Sequence, residues 1–162
     1  MEYRKLGNSD LEVSVIGLGT WAIGNDFWGP ADDAESIRAI QAGIDAGINL
    51  VDTAPAYGGG HSEKVVGDAV RGRRDNVVLA TKVGVIKEKG KFIRTLEPEA
   101  MQKQLEDSLK LLQTDVIDLY QIHWPVAKHS EEEALKLMVK MQEAGKIRYI
   151  GASNVTGWQL QK

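Results

Sequence analysis

Val77-Val78-Leu79-Ala80-Thr81-Lys82 is a run of apolar and β-branched residues that closes on a lysine. A strand with one wet face alternates apolar and polar residues; a strand covered on both faces, as in a parallel sheet, does not. The segment therefore predicts a buried strand with an ionisable group at its carboxyl end. Two further segments repeat the pattern. Asn49-Leu50-Val51-Asp52 closes on an acid, and residues 116–123 close on His123. Tyr57 follows Asp52 by five residues.

Apolar runs begin near Val15, Asn49, Asn76, Asp115 and Lys146, and helical periodicity fills the stretches between them. Residues 33–46 place Ile37, Ile40 and Ile44 on one face and stop at Gly47; residues 62–71 carry Val65, Val66, Ala69 and Val70 before Gly72. A third helix is expected from near Glu97, with Pro98 in its first turn and Met101, Leu105, Leu109 and Leu112 stacked. A fourth opens on Ser130, with Glu133 three residues on as a capping box, and ends at Gly145. At the amino terminus, residues 3–6 and 11–14 flank Gly7-Asn8-Ser9-Asp10, a pattern for a β-hairpin. Strands alternating with helices predict an α/β fold with a parallel sheet. Strand starts roughly 30–40 residues apart suit a (β/α) barrel or a doubly wound sheet.

The 162 residues suffice for one domain spanning 1–162. With 43% hydrophobic and 27% charged residues and a net charge of -3, the composition is that of an ordinary soluble protein, with no nucleic-acid or membrane partner expected. No apolar run approaches the roughly 20 residues that span a bilayer. Met1-Glu2-Tyr3-Arg4-Lys5 has no signal-peptide core. There is no cysteine, hence no disulfide framework or thiolate site. The expected compartment is the cytoplasm.

Ligands of both candidate folds sit at the carboxyl ends of the strands. Taken singly, Asp52 is compatible with a turn cap before Pro55, Lys82 with a solvated strand end, His123 with a core imidazole and Tyr57 with a packed loop aromatic. Their conjunction at neighbouring strand ends predicts one site. A free phenol has a pKa of about 10, and a nearby ammonium favours its ionised form. Lys82 would supply that charge, Asp52 would hold the ammonium, and a neutral His123 would orient a substrate oxygen. Such a set suits protonation of a carbonyl oxygen, with hydride from a nicotinamide cofactor. Other chemistries fit less well. His61, His123 and His129 lack the spacing of a shared metal site, so no metal is expected. No Gly-x-Ser-x-Gly occurs. Gly17-Leu18-Gly19 lacks the third glycine of a dinucleotide fingerprint and reads as a tight strand-to-loop turn. Gly58-Gly59-Gly60 reads as a flexible loop, or as a helix N-terminus open to an anion.

The residues as a set resemble the aldo-keto reductase family. The resemblance rests on Leu6-Gly7-Asn8-Ser9, Gly17-Leu18-Gly19-Thr20-Trp21, residues 47–58, Ser62-Glu63-Lys64-Val65-Val66-Gly67, Ala80-Thr81-Lys82, residues 109–115, Tyr120-Gln121-Ile122-His123-Trp124-Pro125 and residues 145–154. It implies a parallel (β/α) barrel of the TIM type closed at the bottom by the N-terminal hairpin, and NADPH-dependent reduction of aldehydes and ketones to alcohols. Asp52, Tyr57, Lys82 and His123 match the family's catalytic tetrad, with Tyr57 as proton donor. Gly19, Thr20, Trp21, Asp52, Ser153 and Asn154 match cofactor-binding positions, and Trp21 and Trp124 match the substrate pocket.

Only about five strands are present, whereas a complete barrel takes about 250 residues. The resemblance thus implies a partial barrel with half a cofactor site, and little turnover by these residues alone. Exposed sheet edges and apolar surface predict cover by self-association or by a complementing C-terminal half. Two alternatives stand beside the enzyme reading: a non-catalytic NADPH-binding interaction subunit similar to potassium-channel β-subunits, and a half-barrel that self-assembles.

Overall fold

The computed structural model describes residues 1–26, 28–126 and 130–161. Strands β1 (Tyr3–Lys5) and β2 (Glu12–Ser14) form the antiparallel hairpin. Leu11 and Val13 are buried with Val78, and Leu6, Leu50 and Tyr149 pack against them. The hairpin is also tied to Asn49, which accepts from Ser14 N–H at 2.7 Å and donates to Glu12 O at 2.8 Å. Because Leu50 and Val78 stand at the amino ends of their strands, the hairpin closes the bottom of the sheet.

The chain then runs through β3 (Leu18–Gly19), α1 (Asp33–Asp45), β4 (Leu50–Asp52), α2 (His61–Val70) and β5 (Val78–Val83). A second hairpin, β6 (Val85–Glu88) and β7 (Lys91–Arg94), precedes α3 (Pro98–Leu112), β8 (Ile117–Ile122), α4 (Glu131–Glu143) and β9 (Ile147–Ala152). Strands β3, β4, β5, β8 and β9 form one sheet in chain order, every neighbour parallel. A doubly wound sheet reverses its strand order at a switch point; this one does not. The sequential order is the winding of a (β/α) barrel, here five strands of it.

Local chemistry sets the helix ends. Asp32 accepts from Glu35 N–H at 2.7 Å to start α1, and Ser130 accepts from Glu133 N–H at 3.3 Å to start α4. Gly47 and Gly145 leave their helices with φ of +94° and +73°. The α2 and α3 faces bury Val65, Val66, Ala69, Met101, Leu105 and Leu112 against Leu79, Val83 and Ile117. Gly67 lets these helices touch: a Cβ there would lie 2.5 Å from Leu111 O. Gly67→Ala is expected to lower stability by about 2–3 kcal/mol, measured by urea denaturation.

Two features differ from the sequence reading. Leu18-Gly19 is strand rather than turn, and Val15 and Ile16 precede it exposed. The β6–β7 hairpin has no counterpart in the reading. Its reversal uses Lys89 and Gly90 at φ +48° and +77°, the backbone of a type I′ turn with lysine where asparagine is usual. His129 and Lys162 lie outside the described residues. Among the described residues, no helix is long and apolar enough to cross a membrane.

Candidate active site

The parallel register brings the strand ends level. Gly19 pairs with Asp52, Asp52 with Ala80, and Lys82 with Gln121. Asp52 closes β4, Lys82 stands one residue before the end of β5, and His123 follows β8 directly.

Lys82 is the centre of the site. It is buried, at 5% exposure, and its Nζ donates to Asp52 Oδ2 at 2.7 Å, Thr53 O at 2.9 Å and Tyr57 Oη at 3.2 Å. An ammonium has three N–H donors, so every one is assigned. The lysine that a strand-end reading would leave in solvent is instead held rigidly against the phenol. Gln121, one strand over, donates to the other Asp52 oxygen at 3.4 Å.

Tyr57 reaches Lys82 because the chain after it is glycine. Gly58, Gly59 and Gly60 have φ of +67°, +64° and +93°, a left-handed run that other residues adopt only with strain. A Cβ on Gly58 would also lie 2.3 Å from Gly24 O. The Gly58 N–H is not open to an outside anion, because it donates to Asp26 Oδ2 at 2.7 Å, and Asp26 is paired with Lys87 of β6. Burial acts to raise the Asp26 pKa, but the Lys87 and Gly58 hydrogen bonds and the Lys87 charge outweigh it and hold the carboxyl below its usual range.

His123 meets the Tyr57 ring edge-on, with centroids 5.8 Å apart. Burial first, then the charges of Lys82 and Arg94, lower its pKa to about 4; at neutral pH the imidazole is uncharged. Its carbonyl accepts from Asn154 Nδ2 at 2.8 Å. Asn154 has a left-handed backbone, φ +57°, and donates also to Ser153 Oγ at 3.1 Å. Trp21, Tyr57, His123, Trp124 and Asn154 border one pocket of about 320 Å³. The Trp21 ring lies 6.3 Å from that of Tyr57. The second hairpin supplies the remaining wall through Val85, Phe92 and Arg94.

The residues expected around a cofactor divide in two. Gly19 is exposed, with open space above its Cα, and Trp21 and Asn154 line the pocket. Thr20 is buried instead: its hydroxyl donates to Asp52 O at 3.0 Å and lies 2.7 Å from Ser62 Oγ. Ser62 lies also 3.0 Å from Thr53 Oγ1, so α2 fastens the ends of β3 and β4, including the Thr53 carbonyl that Lys82 uses.

Behind Lys82 lies Glu63, fully buried. Thr81 Oγ1 donates to its Oε1 at 2.7 Å. Burial is the largest influence on this carboxyl and raises its pKa to about 7, against the Thr81 hydrogen bond and the Lys82 charge. Sequence reasoning missed Gln121, Ser62, Glu63 and Arg94. Among the described residues, no group of three or more metal-ligating side chains is assembled; His61 is paired with Asp33 at 2.8 Å.

The profile of the aldo/keto reductase family matches residues 15–162. The aldo-keto reductase YhdN of Bacillus subtilis (strain 168) is 48% identical over 162 residues, covering 99% of this chain and 49% of that protein. The holo form of an aldo-keto reductase from Bacillus halodurans superimposes with a TM-score of 0.90 at 35% identity, over 99% of this chain and 53% of that one. An aldo/keto reductase from Klebsiella pneumoniae in complex with NADP and acetate gives a TM-score of 0.80 at 38% identity, over 93% and 49%. The chain spans about half the length of the curated relatives it matches. On the profile match, the identities and the shared barrel winding, the chain belongs to the aldo/keto reductase family.

Proposed function

We propose that these residues form the proton-delivery half of an NADPH-dependent reductase of aldehydes and ketones, with Tyr57 as the proton donor. The observation that carries the reading is the Lys82 ammonium, whose three donors reach Asp52, Thr53 O and Tyr57 Oη at 2.7, 2.9 and 3.2 Å. A carbonyl bound beside Tyr57 and His123 gains negative charge on oxygen as it is reduced. Tyr57 gives its proton to that oxygen, and the phenolate left behind is stabilised by the adjacent ammonium. Asp52 keeps the ammonium in place. The neutral His123 ring donates a hydrogen bond to the same oxygen and sets its position.

A nicotinamide cofactor supplies the hydride, which none of these side chains can. The open backbone at Gly19, with Trp21 just after β3 and Ser153 and Asn154 just after β9, fits its nicotinamide end. The cofactor's phosphates have no comparable cradle among the described residues, since the Gly58 N–H serves Asp26. In the sheet, β3 and β9 each have one paired neighbour. We therefore assign turnover to a completed barrel, in which further strands, on the same polypeptide or another, cover both edges.

The test compares residues 1–162 alone with a fusion in which they replace the matching half of the Bacillus subtilis relative. NADPH oxidation by an aromatic aldehyde is followed at 340 nm. The fusion is expected to turn over at about 1–1,000 per second, and residues 1–162 alone far below that. An inactive but folded fusion counts against the reading; full activity of residues 1–162 alone counts against the need for completion.

A further inference from the structure

The second hairpin brings to the pocket a cation that the proton-delivery chemistry does not use. Arg94 ends β7, lines the pocket that holds Tyr57 and His123, and lies over the Trp124 ring at 4.5 Å from its centroid. Among the described residues, no carboxylate forms an ion pair with it. A guanidinium resting on an indole keeps its position while its N–H donors, which lie in the guanidinium plane, remain available for two parallel bonds to an oxyanion. The rest of the pocket offers little to a charged ligand. Trp21, Val85, Phe92 and Trp124 are apolar or aromatic, and the Asn154 amide nitrogen already serves His123 O and Ser153 Oγ.

The hairpin that carries Arg94 has a net charge of the same sign. Within β6, β7 and their turn stand Lys87, Lys89, Lys91 and Arg94 against the single acid Glu88. Lys87 is paired with Asp26, and the other charged groups of the hairpin leave it net positive. A cleft of one sign with apolar walls concentrates ligands of the other sign. Reductases of uncharged carbonyls have no need of an unpaired guanidinium there, and burying it under a neutral substrate would be unfavourable.

Resting on the reductase reading above, we propose that Arg94 is a specificity-determining residue, and that the pocket takes small aldehydes or ketones bearing an oxyanion, carboxylate or phosphate, on the side of the molecule away from the carbonyl. The pocket volume of about 320 Å³ is at the small end for ligand sites, which suits a single-ring or short-chain compound. A phosphate of the cofactor offers Arg94 the same chemistry, so the experiment separates the two sources.

Binding of 4-carboxybenzaldehyde and of its uncharged methyl ester is measured by calorimetry on residues 1–162 and on the fusion, without cofactor, at low and high salt. Arg94→Gln and Arg94→Lys are measured in parallel. The acid is expected to bind about fivefold more tightly than the ester, the scale of a partly exposed charge pair. High salt and Arg94→Gln should each bring the two affinities together, and Arg94→Lys should keep part of the difference. Equal affinities in the unmodified protein overturn the proposal, as does a preference that survives Arg94→Gln. Weaker NADPH binding by Arg94→Gln with an unchanged acid preference assigns the cation to the cofactor and likewise overturns it. An Arg94-dependent acid preference in a fusion without turnover supports this assignment while removing the reductase reading. The salt dependence of the unmodified protein decides the matter should a variant fail to fold.

Discussion

Lys82→Met in the completed barrel is expected to lower turnover by about a thousandfold while leaving the protein folded. Methionine keeps most of the stem length and removes the ammonium, so the Tyr57 hydroxyl, Asp52 Oδ2 and Thr53 O all lose their shared donor. The phenolate formed on proton transfer then has no cation beside it. Preorganised charge of this kind contributes about 10²–10³ to rate, and positioned acid catalysis about 10²–10⁴. The structural cost is smaller, because the Asp52 side chain is 36% exposed and can be rehydrated when its partner is gone. The loss should appear in kcat rather than in KM, since Lys82 acts on the charge that develops during reaction. Lys82→Arg should not restore it: a planar guanidinium cannot point three donors at acceptors arranged around a compact ammonium. Steady-state kinetics with thermal denaturation of the same samples checks both halves. A variant retaining a tenth or more of the original kcat would remove Lys82 from the proposed chemistry.

The second large effect is on stability and lies behind the site. Glu63 has its folded pKa raised to about 7 from 4.5. The folded protein therefore holds a proton that the unfolded chain releases. The resulting stabilisation is complete below pH 4.5 and is lost as pH rises towards 7, by about 3 kcal/mol. His123 has the opposite sign: its folded pKa falls from 6.5 to about 4. Its neutral form contributes stability that is complete above pH 6.5 and is lost as pH falls through 4, by somewhat less, since the ring borders an open pocket. Between pH 4.5 and 6.5 the two slopes oppose each other, and the unmodified protein should be nearly flat. Glu63→Gln, which keeps the acceptor for Thr81, should expose the His123 slope, with stability rising across this range. His123→Asn should expose the Glu63 slope, with stability falling. Urea denaturation at half-unit pH intervals measures all three, and a flat profile in both variants would show that neither group titrates in its window.

The clustering of Asp52, Tyr57, Lys82 and His123 was legible because barrel geometry makes position in sequence stand for position in space. A residue closing a buried apolar run must point to the carboxyl end of the sheet, and Asp52, Lys82 and His123 stood there. The four helices were legible for a similar reason: their apolar spacing, the capping box at Ser130 and the stops at Gly47 and Gly145 act within a few residues of chain. What escaped depends on neighbours distant in sequence. Glu63 and Ser62 look like the polar start of a surface helix, yet α2 lays that turn against Thr20, Thr53 and Thr81. Thr20 matches a cofactor position in the family but commits its hydroxyl to Asp52 O. The β6–β7 hairpin was hidden because its turn, Lys89-Gly90, has no asparagine or aspartate and lies within a lysine-rich stretch. With it were hidden Phe92 and Arg94, which line the pocket beside Tyr57 and His123.

Tyr57→Phe tests the central claim most directly. The claim is that the phenol held by Lys82 delivers the proton in carbonyl reduction. In the fusion carrying residues 1–162, NADPH oxidation by 4-carboxybenzaldehyde is measured with Tyr57 and with phenylalanine in its place, which removes one oxygen and leaves the ring packed against Trp21 and His123. A fall in kcat of at least about a hundredfold is expected, with cofactor affinity preserved. Equal turnover by the two proteins would contradict it and place the proton donor elsewhere.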